Sequence, residues 1–178
     1  MIHAGFFLMC VARVLAFAAV LFLPLAALAD DYADVNQLMK SGKYAQALAK
    51  VDQYLAAKPR DPQMRFLKGV IQADSGQRPE AIATYTQLTQ EYPELPEPYN
   101  NLAVLYAQQD DYDKARIALE GAVRANPSYA TAYENLGDVF AKLAGQSYAK
   151  AQQIEPSNTS LPAKLALVRQ LIAPPPKR

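Results

Sequence analysis

The sequence predicts an all-α fold: a solenoid of helix–turn–helix units, three of them full, a fourth atypical, closed by a C-terminal capping helix. Three observations predict it. The phrase Tyr99-Asn100-Asn101-Leu102-Ala103 returns as Tyr133-Glu134-Asn135-Leu136-Gly137, 34 positions on. The stops Pro59, Pro93 and Pro127 keep the same spacing of 34, as do the turn positions Gly42, Gly76 and Asp110. A period of that length is one pair of helices. Finally, no stretch after residue 30 alternates apolar and polar residues as a half-buried strand would.

The first unit, about 31–61, opens at Asp30-Asp31, acids suited to a helix N-terminus. Tyr32, Val35, Leu38 and Met39 form its apolar side, and Ser41-Gly42-Lys43 turns the chain. A second helix runs through Ala47, Leu48, Val51, Tyr54 and Leu55 to Lys58-Pro59, where proline stops it. The second unit, about 62–95, starts with Asp61 as cap and Pro62 in the first turn. It turns at Ser75-Gly76-Gln77 and continues from Pro79 to Tyr92. In the third unit, about 96–129, Glu94-Leu95-Pro96-Glu97 is a rigid connector and the helix starts at Pro98. Asp110-Asp111-Tyr112-Asp113 reads as a repeat turn followed by a helix cap; it lacks the glycine and distal glutamate of a calcium loop.

Gly69, Ala103 and Gly137 occupy one place in successive units, and Ala47, Ala81 and Ala115 another. Small residues there let paired helices approach closely. The fourth unit, about 130–156, lacks five residues where its turn should be, because its stop is Pro156 and not residue 161. Small or apolar positions run through 133, 136, 137, 140, 144, 147, 148, 151 and 154 at helical steps. One long helix, about Ala130 to Ile154, is favoured over a shortened pair, with Gly145 the one residue against it. Ser160 is expected to cap a last helix over 160–172, whose stripe Leu161, Leu165, Val168 and Ile172 covers the end of the stack. Residues 173–178, Ala-Pro-Pro-Pro-Lys-Arg, read as a disordered or polyproline tail.

Tyr99, Leu102, Ala103, Tyr106, Ala115, Ala122 and Pro127 resemble the tetratricopeptide repeat (TPR) family, whose first helix carries an aromatic, Leu-Gly or Leu-Ala, and Tyr. The resemblance covers about 31–156 and departs at Val35, Arg65 and Lys68.

Residues 1–29 are a different material. Arg13 is their one charge, Val14 to Ala29 is uncharged, and Ala27-Leu28-Ala29 ends the run with small residues. That is the form of a secretory signal peptide, with cleavage expected after Ala29 and Met9 a possible alternative start. A retained anchor is the rival reading, but the run after Arg13 falls short of the roughly 20 residues of a spanning helix. The expected location is periplasmic or secreted, since leader and family together resemble exported bacterial envelope TPR proteins. The chain from Asp30 onward balances 17 basic against 17 acidic residues and has no histidine, cysteine or tryptophan. The usual zinc, copper and haem sites and His-dependent nucleophiles therefore have no ligands or bases there. No cofactor and no metal are expected, and neutrality argues against nucleic acid.

The resemblance implies a concave groove lined by the first helices. Phe66 and Val70 come from the second unit, Asn100, Asn101 and Val104 from the third, and Glu134, Asn135, Asp138 and Lys142 from the fourth. Asn101 and Asn135 hold one place in their units, and an amide pairs with the N–H and C=O of a peptide backbone. The alternative is that both bond only within the stack. The acids Glu134 and Asp138 favour basic peptides. The expected function is non-catalytic: a scaffold or adaptor that binds a protein or peptide partner in the groove, with no membrane contact after leader cleavage. The rivals are an envelope assembly factor docking by its convex helix faces and, remotely, a carboxylate-dependent hydrolase.

Overall fold

The computed structural model describes residues 31–173. The leader, its cleavage point, Asp30 and positions 174–178 of the expected tail lie outside the described residues. Eight helices account for the rest: α1 (31–40), α2 (Tyr44–Ala57), α3 (Pro62–Asp74), α4 (Arg78–Glu91), α5 (Pro96–Ala107), α6 (Tyr112–Ala125), α7 (Ala130–Ile154) and α8 (Leu161–Leu171). No strand occurs among the described residues. The three short turns place Gly42, Gly76 and Asp110 at φ 68, 80 and 58°, the left-handed region that the 34-residue register marks.

The chain divides after Met64 into two compact units. In the first, Val35, Ala47, Val51 and Met64 are fully buried. Asp61 holds this unit's end together. Its Oδ1 accepts from the backbone N–H groups of Gln63 and Met64, at 3.1 and 3.0 Å, which is the expected cap. The same carboxylate accepts from Tyr32 OH at 2.8 Å and Tyr54 OH at 2.7 Å. Burial pushes the Asp61 pKa up, but the four donors outweigh it and leave the carboxyl below its ordinary value. Lys50 pairs with Asp34 beside it.

In the second unit, α4 through α8 pack each on the next. Tyr85, Leu88, Leu102, Ala103, Leu119 and Ala122 form the core. Burying Leu88 and Leu119 stabilises by roughly 1.5–3 kcal/mol each. Two glycines admit aromatic rings: a Cβ at Gly69 would lie 2.6 Å from the Tyr85 ring, and one at Gly121 would lie 2.6 Å from the Tyr99 ring. Tyr99 also donates its hydroxyl to the carbonyl of Thr89, 3.0 Å away, tying α5 to α4.

Four expectations are corrected. Gly137 is not a close-approach site, because no atom lies within 4 Å of a Cβ placed there. The helix of the third unit begins at Pro96, two residues early; with Leu95 extended before it, Pro96 and Pro98 both fit its first turn. Ser160 stands at the N-cap of α8 but gives no side-chain capping bond: its hydroxyl donates to Asn158 Oδ1 at 2.8 Å. Tyr133 and Phe140, which stand on the apolar helical spacing expected of the fourth unit, are half exposed and not covered by it.

The fourth unit is one helix of 25 residues. Gly145 has a packing reason, since Val168 of α8 approaches to 3.2 Å of where its Cβ would be. Leu161 and Leu165 of α8 are buried and Val168 and Ile172 half-buried, so its stripe does face the stack.

Candidate peptide-binding hollows

The second unit carries a hollow of about 440 Å³ between α5, α6 and α7. Helical spacing builds it. Asn135, Asp138, Val139 and Lys142 stand at i, i+3, i+4 and i+7, one face of α7. Ala103, Val104 and Ala107 of α5 and its C-cap Gln108 stand at i, i+1, i+4 and i+5, two adjacent one-turn pairs, and Leu119 of α6 closes the floor. The floor is thus apolar, and the rim is polar. On that rim Asp110 accepts a hydrogen bond from Tyr112 OH at 2.6 Å, which raises the Tyr112 pKa. Lys142 Nζ lies 6.0 Å from the centre of the Tyr112 ring, close enough for a cation–π contact.

A second hollow of about 220 Å³ is lined by Val70, Ala73 and Asp74 of α3, Tyr85 of α4, Asn101, Val104 and Leu105 of α5, and Gln108 just past its end. Val104 and Gln108 belong to both, so the two form a continuous track across α5. Tyr85 is buried, which pushes its hydroxyl up to about 12; the bond it accepts from Asn101 works the other way.

Of the nine residues expected to line a groove, the track contains six: Val70, Asn101, Val104, Asn135, Asp138 and Lys142. The other three stand elsewhere. Phe66 packs on the Tyr85 ring, centroids 5.7 Å apart. Glu134 is exposed and lines neither hollow. Asn100 is 6% exposed, and its Oδ1 accepts from Asn135 Nδ2 at 2.8 Å. Asn101 donates to Tyr85 OH at 3.1 Å. Both asparagines of the expected ladder therefore spend an N–H inside the stack, where loss of a partner strands a half-buried amide. Each keeps an N–H and part of its carbonyl capacity toward the track.

Gln108, Tyr85 and Tyr112 were missed. Gln108 was findable, being one turn beyond Val104 on the same face. Tyr85 and Tyr112 belong to second helices, and only the packed structure brings them to the track. Among the described residues no three His, Cys, Asp or Glu side chains converge as metal ligands, and no helix is long and apolar enough to cross a membrane.

Known proteins bear on this geometry. Two models of the tetratricopeptide repeat match residues 32–96 and 72–137. The tetratricopeptide repeat domain-containing protein PYG7, chloroplastic, of Arabidopsis thaliana is 36% identical over 70 residues, which are 36% of this chain and 23% of that protein. The chain therefore spans less than a quarter of that relative's length. The crystal structure of MamA superposes with a TM-score of 0.57 at 23% identity, covering 76% of this chain and 82% of MamA. PcrH, in complex with the chaperone binding region of PopD, gives 0.58 at 19% identity, covering 65% of this chain and 92% of PcrH.

Proposed function

The chain belongs to the tetratricopeptide repeat family, and on that premise we propose that it is an exported, non-catalytic scaffold that holds a segment of a partner protein. The observation that carries this is the track of two hollows meeting at Val104. Its apolar floor suits a buried aliphatic or aromatic anchor of a peptide. Its rim offers a carboxylate at Asp138, an ammonium at Lys142 and the free amide capacity of Asn101 and Asn135. Those groups orient a peptide main chain and bond-change nothing. PcrH, which holds a region of PopD, supports the reading by its similar fold. Export rests on the composition of residues 1–29.

Capture of partner segments tests the first part. Val104→Glu places a charge at the junction of both hollows, and Val104 is exposed enough (39%) for the fold to tolerate it. Partners retained from an envelope extract by the wild-type chain are expected to be lost from the variant; undiminished retention would overturn the groove reading. Export has its own test. N-terminal sequencing of the protein released by osmotic shock should begin at Asp30, and a sequence beginning at Met1 or Met9 would overturn it.

A further inference from the structure

A strip on α7 lies outside both hollows. Tyr133 and Phe140 are each 49% exposed, two turns apart on one side of the helix, with Gly137 open between them. At the equivalent place Gly69 receives the Tyr85 ring and Ala103 is buried, so this strip lacks the cover its counterparts have. The missing turn of the fourth unit explains the gap: α7 continues straight where a second helix would have folded back. α8 covers only the far half. Val168 lies at Gly145 and Lys164 at Tyr148, so α8 runs antiparallel to α7. Each step forward in α8 is a step back along α7, so α8 ends at Leu171 about level with Lys142, next to Phe140 on the helix.

We propose that the strip seats the chain's own next segment, Pro174-Pro175-Pro176-Lys177-Arg178. Direction, length and charge all favour this occupant. α8, which the segment follows, points toward the Tyr133 end of α7. In polyproline form its five residues span about 15 Å, at roughly 3.1 Å each. Phe140 to Tyr133 is about 10 Å along a helix rising 1.5 Å per residue. Three prolines therefore bridge the two rings, over the open Cα of Gly137, and the cations pass beyond. Prolines in this form pack on aromatic side chains because their rings are already ordered and apolar. Glu134, exposed beside Tyr133, has no hydrogen bond or ion pair among the described residues and meets Lys177 and Arg178 there. Asp138 adds a second exposed carboxylate one turn on.

Disulfide trapping in the full chain tests the seat. Cys10 is the one native cysteine, so Cys10→Ser with Gly137→Cys and Pro175→Cys leaves two thiols. The Gly137 site has room for the side chain. Mild oxidation should give an intrachain link whose rate does not depend on protein concentration. Adding Tyr133→Ser and Phe140→Ser should slow it roughly fivefold or more, toward the rate of a tethered but unseated segment. Glu134→Lys, a surface change that leaves the rings in place, should slow it about twofold or more at low salt and less at high salt. A rate indifferent to both changes would overturn the proposal. So would a link that forms between two chains and fades on dilution, which would assign the strip to a second copy.

Discussion

At Gly69 an added methyl group would stand 2.6 Å from Tyr85 Cε1, and Tyr85 is itself fully buried. Gly69→Ala should therefore destabilise by about 1–3 kcal/mol by overpacking, despite the helix-propensity gain of about 1 kcal/mol. Urea denaturation reads the sign. The small-residue register pointed to Gly69 correctly, because a repeated small position marks repeated close approach. It failed at Gly137, where the residue type persists but the partner helix does not. Gly121 was invisible, since its neighbour Tyr99 lies on another helix and no period links them. Asp61 is a second residue-scale case. Its position before Pro62 marked it as a cap, whereas the reach of Tyr32 and Tyr54 to the same carboxylate exists only once α1 and α2 have folded. Asp61→Ala should cost about 1–3 kcal/mol at neutral pH, from the lost cap and two orphaned hydroxyls. The folded pKa is depressed, so this stabilisation is present above the ordinary value of 3.8 and is lost as pH falls through the folded one. The gap between wild type and variant, followed by chemical denaturation against pH, should be widest at neutral pH and narrow below 3.8.

Among elements, α7 differs most from its counterparts. Its 25 residues follow from a five-residue deletion that was countable in the sequence as the short distance from Asn135 to Pro156. What was not countable was the use of Gly145, which makes room for Val168. A proline at Gln146, in the interior of this helix, removes a backbone bond and clashes with the turn before it; Gln146→Pro should cost about 3 kcal/mol or more. A variant as stable as wild type in thermal unfolding would mean that the helix is broken there. The asparagines show the other limit of reading by element. Asn101 and Asn135 share a register position and so were placed together on one surface. In the packed stack Asn135 instead bonds Asn100, 35 positions away, and Asn101 bonds Tyr85 on the neighbouring helix. Register assigns a residue to a face of a helix, and the partner it finds there depends on the side chains opposite.

For the whole molecule, the repeat supplies a track that no single unit contains: α3 and α4 form one hollow with α5, and α6 and α7 form the other. Val104 and Gln108 are the residues they share, and Val104 is 39% exposed and outside the buried core. Ile117 on α6 is the other exposed aliphatic in the middle of the stack, 56% exposed and outside both hollows. The two residues separate binding in the track from docking by an outer face. The most direct measurement selects binding peptides from a random library against the full chain and titrates them onto wild type, Val104→Glu and Ile117→Glu. Binding in the track requires the Val104→Glu affinity to fall about tenfold or more, near 1.4 kcal/mol, with thermal unfolding unchanged and Ile117→Glu neutral. Peptides that bind Val104→Glu as tightly as wild type and lose affinity for Ile117→Glu would contradict it.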